Sequence, residues 1–595
     1  MITAMSRPLP VWTAAEAAAA AVVYDEVRAD GRSLCWLQTI PEEDGRVALM
    51  RMTSDGVISA VSPAGTSVGS DLHGYGGGAY ATRNELAWYV DAESGHVFLN
   101  EDGDARVVLE RRHADEYLGD LAVTEDQLWC VRETSSGDEL VQVSSDGSLR
   151  VIAATDGFFG SPRPYDGKLA WLRWDRDRMP WDGSELMVAS HLGDPVPPER
   201  VSGGREESVT QPQWDHRGRL WFLSDRTGWW NLYKLDGNEV TPVALMEKDL
   251  APPEWEAGYR SYVLHPSGGA VMIEHNGPHH QLLIHDGTSV KPLPTPFTSF
   301  KPYLTMQGWD VVGIGASPVQ APHIFRLDLL RPEQGTQIFE DSADAAGHSV
   351  TAPQPLRVPS PSGGEVQALV YPPVNAAGDW CAPLVVRAHP GPTSAVHTRL
   401  DWHTQLLTSN GFAVADVDYH GSTGYGRPFR RSLYGRWGDL DVDDCAAVAE
   451  YLLAEGRTMP GQVFITGSSA GGYTALQAVS RPSVFSGAVA RSAIVNPSRW
   501  MTTAPRWQRP HAVGLAGPVG AVRAEVIDRP TLLIHGADDH IAPLSDVADL
   551  ARQLAVRAKP CQLIVLDARH TLSAQQATAL ALQAELTFYR DLMAP

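Results

Sequence analysis

Val463-Phe464-Ile465-Thr466-Gly467-Ser468-Ser469-Ala470-Gly471-Gly472-Tyr473 is an apolar, β-type run that stops in a turn of small residues and restarts as a helix-compatible segment. The pattern G-x-S-x-G at such a junction reads as a nucleophile elbow, with the serine on a strained strand-to-helix bend. Gly467 and Gly471 lack the β-carbons that would clash there. Ser469 is thereby lifted out of a sheet at a helix N-terminus, and the N–H of Ala470 points to where an oxyanion forms during acyl transfer. Five residues alone are a weak signal, because small residues crowd into many turns. The strand before them and the extra Gly472 strengthen it, and an aspartate and a histidine at two downstream strand ends make it strong.

A serine hydroxyl is a poor nucleophile at neutral pH, so the chemistry needs a histidine to take its proton and a carboxylate to orient that histidine. In α/β-hydrolases these follow in the order Ser, Asp, His. Downstream, Pro530-Thr531-Leu532-Leu533-Ile534-His535 is an apolar strand entering the polar loop Gly536-Ala537-Asp538-Asp539-His540. A second strand, Gln562-Leu563-Ile564-Val565-Leu566, leads through Asp567-Ala568-Arg569 to His570. Acid and base thus leave the C-terminal edge of one parallel sheet. Singly, such a loop aspartate or histidine is ordinary surface; in this order at successive strand ends they form a constellation.

The 595 residues are too many for one core, so two unequal domains are expected. With 43% hydrophobic and 20% charged residues the composition is that of a soluble globular protein. The formal charge of -23 argues against nucleic acid and anionic membranes as partners. The cysteines, at 35, 130, 381, 445 and 561, have no metal-type spacing; their odd number suits a reducing cytoplasm, and they read as buried small hydrophobes. The alanine-rich start, interrupted by Glu16 and preceded by Pro8 and Pro10, reads as a short surface helix rather than a signal sequence. No apolar run approaches the roughly 20 residues of a membrane span.

Residues 26–345 have a rhythm of apolar run, polar turn and apolar run. The tryptophan-rich runs at 34–37, 86–90, 128–131 and 169–172 continue at 220–223, 270–273 and 311–314. Their spacing of about 40 to 50 residues is that of a four-stranded propeller blade, and their number predicts seven blades. Asp-Gly pairs at 30–31, 146–147, 166–167, 236–237 and 286–287 mark hairpins. Trp171, Trp174, Trp181, Trp214, Trp221, Trp229 and Trp230 are expected to pack between blades. An Ala, Ser, Pro and Gly-rich linker spans 343–364. Beyond it, strands and helices alternate as in a doubly wound, mostly parallel sheet. The expected division is an N-terminal helical segment (1–25), a β-propeller (26–345) and an α/β-hydrolase catalytic domain (346–595). Asp441, Asp443 and Asp444 open a helix and read as structural. After the strand Leu384 to Ala388 comes His389-Pro390-Gly391-Pro392-Thr393. A second oxyanion donor is expected from this loop; the prolines have no N–H, which leaves His389 and Gly391, with Gly391 preferred because glycine lets substrate approach.

On these motifs the chain resembles the prolyl oligopeptidase family of serine peptidases, in its acylaminoacyl-peptidase and dipeptidyl-peptidase-like branch. The family's elbow G-G-S-x-G-G-Y is similar to residues 467–473, and its H-G-x-x-D-x-x-V-P loop to residues 535–543. The latter alignment selects Asp539 over Asp538. Residues 389–392 resemble its H-G-G-P loop, and 421–426, 179–183 and 224–233 match further stretches. Three departures stand out: His570-Thr571 in place of H-G, a short segment between elbow and Asp539, and Gly74 where H-E-Y-G-G-G carries its glutamate.

The resemblance implies a serine peptidase or amidase acting on short peptides or peptide-like amides. Ser469, Asp539 and His570 would form the triad, Ala470 and Gly391 the oxyanion hole, without cofactor or metal. A propeller over the sheet would admit only short substrates. An esterase or an acyltransferase of a specialised pathway would use the same triad, whereas a non-catalytic propeller module would need none. Homo-oligomerisation is left open. Loss of the glutamate at Gly74 implies no preference for a free N-terminus, unless Asp71 or Asp249 takes its place.

Overall fold

The computed structural model describes residues 10–594 other than 125–126, 145–146, 190–196, 340–347, 375 and 377. Seven antiparallel sheets follow one another between Tyr24 and Ile338, six of four strands and one of five. Each recurrent apolar run lies in an inner strand of its sheet, from Ser33–Ile40 through Asp310–Ser317. This is a seven-bladed propeller. Its hairpins turn where Asp-Gly pairs supply positive φ, as at Gly31, Gly167 and Gly237; Asp146 lies outside the described residues. Trp171, Trp174 and Trp221 are buried among the blades as expected, whereas Trp181 and Trp230 turn to the other domain.

The C-terminal part holds one sheet of eight strands: β1 (Gln354–Pro359), β2 (Glu365–Tyr371), β3 (Leu384–Ala388), β4 (Ala413–Asp418), β5 (Val463–Ser468), β6 (Gly487–Arg491), β7 (Thr531–Gly536) and β8 (Cys561–Leu566). Their spatial order is β1-β2-β4-β3-β5-β6-β7-β8, and from β4 onward all neighbours run parallel. Alternate strand residues feed two cores. Val386, Ile465 and Leu533 pack under helices Leu440–Ala454 and Ala470–Ala478, while Val385, Phe464 and Leu532 pack under Trp402–Ser409 and Gln575–Met593.

Some expectations change. Part of the 343–364 stretch is the edge strand β1, because its alternation lets Val358 enter the core; residues 340–347 lie outside the description. The helix Ala14–Ala19 is the short surface helix expected, with Ala15 and Glu16 exposed; Ala14 and Ala17 pack with Leu582 and Leu586 of the hydrolase half, and Glu16 closes a capping box with Thr13. Cys381 is exposed and Cys561 half-buried, while Cys35, Cys130 and Cys445 are buried. Asp441 and Asp444 are structural, but through side-chain bonds: Asp441 accepts from Gly438 N and Thr474, and Asp444 from Ser360 and His420.

The stretches at 179–183, 224–233 and 421–434 meet across the domain boundary. The Asp225 carboxylate accepts from Arg427 at 2.7 Å and Arg430 at 2.8 Å, and from the N–H of Ser208 at 2.7 Å. Arg430 also lies 3.9 Å over the Trp230 ring and donates to the carbonyl of Trp181. Asp249 accepts from Trp230 N and Gly426 N, so one carboxylate joins both domains. Removing one partner of such a buried cluster strands the other charges, at a typical cost of about 3–5 kcal/mol. Asp225→Ala is therefore expected to lower the thermal unfolding midpoint by several degrees in differential scanning; an unchanged midpoint would show that this cluster does not hold the domains together.

Candidate active site

The bend after β5 is sterically enforced. Ser469 has φ 54 and ψ -116, directly before the helix Ala470–Ala478. A β-carbon on Gly467 would lie 2.2 Å from the Gly471 carbonyl oxygen, and one on Gly471 2.2 Å from that of Ala388. The two glycines thus let the helix start press against the end of β3, bringing Ala470 next to the His389–Pro392 loop. Gly391, with φ +123, could carry a side chain only against Ser394 and Thr393. The His389 ring is occupied elsewhere: it stacks on Tyr419 at 4.2 Å and bonds Ser422 at 2.7 Å.

His570 Nδ1 lies 2.8 Å from Asp539 Oδ2. The other carboxylate oxygen accepts the N–H groups of Ile541 and Ala542 at 2.9 and 2.8 Å. Burial pushes the Asp539 carboxyl up, but hydrogen bonds from His535, His570 and Ala542 outweigh it and hold it well below the usual carboxylate range. Asp538 is exposed one residue earlier. The carbonyl of His570 accepts from Ser492, which fixes the loop behind the imidazole. A cavity of about 500 Å³ is lined by Ser469, His570 and Gly391. All five residues singled out in the sequence therefore lie around one strand-edge cluster.

The propeller closes this cavity with Tyr75, Trp255 and Glu256. None of these was singled out from the sequence. The available signal was Pro252-Pro253-Glu254-Trp255-Glu256, two acids flanking a tryptophan in a rigid stretch. Burial, reinforced by Asp25 and opposed by Lys301 and Tyr303, raises the Glu256 carboxyl above the ordinary range. The acids suggested from the sequence lie elsewhere: Asp249 is committed to the domain joint, and Asp71 faces Arg569 at 3.7 Å on the surface. Gly74 has a steric reason, since its φ is +86 and a β-carbon would come within 3.2 Å of Pro505. A glutamate there would have to adopt that left-handed backbone and press on Pro505 of the hydrolase half. Among the described residues no group of His, Cys, Asp or Glu is arranged to hold a metal ion, and no helix is long and apolar enough to cross a membrane.

An α/β-hydrolase sheet whose serine elbow opens into a cavity roofed by a seven-bladed propeller defines the class of propeller-capped serine hydrolases. Residues 398–595 match the model of the prolyl oligopeptidase family. The acylamino-acid-releasing enzyme of Sus scrofa is 30% identical over 232 residues, 36% of this chain but only 32% of the relative's length. Two solved structures are similar over nearly the whole chain. A puromycin hydrolase shares 28% identity with a TM-score of 0.92, covering 99% of this chain and 98% of that one. A Mycobacterium tuberculosis puromycin-hydrolyzing peptidase shares 28% identity with a TM-score of 0.92, covering 98% and 97%. Residues 398–595 thus carry the match to the prolyl oligopeptidase family, and the chain as a whole is similar to the two puromycin-hydrolysing structures.

Proposed function

We propose that the protein hydrolyses short peptides and aminoacyl amides with a free α-amino group, puromycin among the candidates. Ser469 attacks the scissile carbonyl while His570 takes its proton, and the N–H groups of Ala470 and Gly391 receive the oxyanion. His570 then protonates the leaving nitrogen, water enters, and the same imidazole activates it to release the acyl group. Asp539 holds the imidazole in the required tautomer throughout. The observation that carries this reading is the 2.8 Å pair of His570 and Asp539 at the mouth of the cavity that also holds Ser469. The acid for the substrate ammonium is Glu256, which lines that cavity from the propeller side. The full-length likeness to puromycin hydrolase supports the substrate class.

The same reading assigns residues 26–345 to the gate and 346–595, with the packed helix of the 1–25 segment, to catalysis. Five free cysteines and a net charge of -23 favour a reducing cytoplasm, with neither nucleic acid nor membrane as partner.

Ser469→Ala is expected to abolish both turnover and labelling by a serine-directed phosphonate; labelling that persists would end the reading. Asp539→Asn should cost on the order of 10⁴ in kcat, with Asp538→Asn near wild type. The reverse ranking would place the acid one residue earlier.

Glu256 must be ionised to pair with an ammonium, and its carboxyl is raised. The preference for a free-amine arylamide over its N-acetyl counterpart should thus be full above the Glu256 pKa. It should be lost as pH falls, at a higher pH than an exposed glutamate would require. A buried charge-assisted contact is worth roughly 1.5–3 kcal/mol, so Glu256→Gln should reduce that preference by about one to two powers of ten. A variant that keeps the wild-type ratio at every pH would exclude Glu256. Folded proteins should resist cleavage while peptides cut from them are hydrolysed, as electrophoresis of native and predigested casein would report.

A further inference from the structure

The catalytic cavity does not end at His570. A second cavity of about 300 Å³, within the range of small-ligand sites, shares Pro390, Ser394, Ser468 and Arg491 with it. Three guanidinium groups line it, those of Arg387, Arg399 and Arg491, against the carboxylates of Asp401 and Asp416. Arg387 is consumed by both acids, at 2.7 Å from each on its two terminal nitrogens. Arg491 is held through Nη2 by Glu585, a fully buried side chain behind the wall, and lies 3.3 Å from His403 Nε2. Its Nε–H is buried without an acceptor. Arg399 has no ion-pair partner among the described residues. The neighbouring imidazoles add no charge: burial, then His280 and Arg399, push His397 down, and burial pushes His403 down.

Arg399 is also firmly placed. Thr398 donates from N and Oγ1 to the Pro278 carbonyl at 2.8 and 2.6 Å, and Leu400 N donates to Ser317 O at 2.7 Å. The segment carrying it is therefore stapled to the propeller on both sides. The direction of the cavity is set by the sheet. It opens on the face covered by Trp402–Ser409 and Gln575–Met593, opposite the helix that begins at Ala470. His570 comes from the connection into Gln575–Met593, the helix that covers this same face, and the cavity adjoins the one His570 lines. As the acyl–nitrogen bond breaks, the proton moves from His570 to that nitrogen, and a free amine is left.

We propose that this second cavity binds the leaving group, and that Arg399 receives the carboxylate of a leaving amino acid or short peptide. The inference rests on the peptidase reading above and narrows it: the preferred substrates are very short peptides with an unblocked C-terminus. A guanidinium presents paired donors to a carboxylate, and an amide in its place leaves those donors unanswered.

The test measures kcat/KM for alanyl-glycyl-glycine, its C-terminal amide and alanine p-nitroanilide, which has no carboxylate. The wild type is expected to prefer the acid over the amide by tenfold or more. Arg399→Gln should bring that ratio near one through KM, and Arg399→Lys should retain part of it. A wild-type ratio near one, or a ratio unchanged in Arg399→Gln, overturns the proposal. If Arg399→Gln does not fold, product inhibition of the wild type decides: glycylglycine should inhibit at least tenfold more strongly than glycylglycinamide, and equal inhibition overturns it. Absence of turnover of all three compounds would instead count against the peptidase reading, whereas equal use of acid and amide alongside anilide hydrolysis counts only against the leaving-group site.

Discussion

The buried carboxylate of Asp225, shared by Arg427 and Arg430 across the domain boundary, is the interaction on which the site's enclosure depends. A guanidinium buried beside tryptophan is tolerable only when its charge is answered, and here the answer comes from the other domain. Seating the propeller and satisfying these arginines are one event. Arg506 repeats the arrangement elsewhere, reaching from the hydrolase half to Glu133 and Asp138 of the propeller and lying 4.2 Å over Phe158. With both in place, Tyr75, Trp255 and Glu256 come down over the serine elbow, and a strand-edge cleft becomes a chamber.

Inside that chamber the roles divide by face of the sheet. The elbow glycines bring a helix start against the end of β3, which sets backbone N–H groups on one side of the serine. The loop after β8 carries the imidazole on the other. Asp539 sits between, and its hydrogen bonds from Ile541 and Ala542 leave one oxygen for His570. Catalysis in this class depends on such prior placement, because donors fixed in advance need no reorganisation as charge develops.

Much of this was legible in the sequence, and the reasons are local. An elbow needs glycine at two defined places, a blade needs an apolar inner strand and a hairpin, and a strand-end aspartate and histidine keep their order along the chain. The seven apolar runs accordingly mark inner strands, and the five candidate residues lie near one edge. What escaped was non-local. Glu256 reaches the cavity only because the propeller is seated, and Arg399 and Arg491 line one wall although nearly a hundred residues separate them. The edge strand β1 was hidden because proline and serine around it resemble a linker. In the sequence Gly74 reads as a lost side chain, whereas its φ of +86 and the close approach of Pro505 favour glycine there.

The helix Ala14–Ala19 packs on the hydrolase core before the chain enters the first blade, and the ring of His348, just after the last blade, stacks on Trp12 at 4.2 Å. Both covalent crossings between the halves are thus adjacent, at the seam between the first and last blades. Asp182, which accepts from Arg427 on its carbonyl and from Tyr434 on its carboxylate, and Asp225 belong to the fourth and fifth blades, across the ring from that seam. The molecule is built like a locket, with its two hinge pins side by side and its clasp opposite. Any parting of the halves that kept these crossings as its hinge would be widest at the acid–arginine clasp.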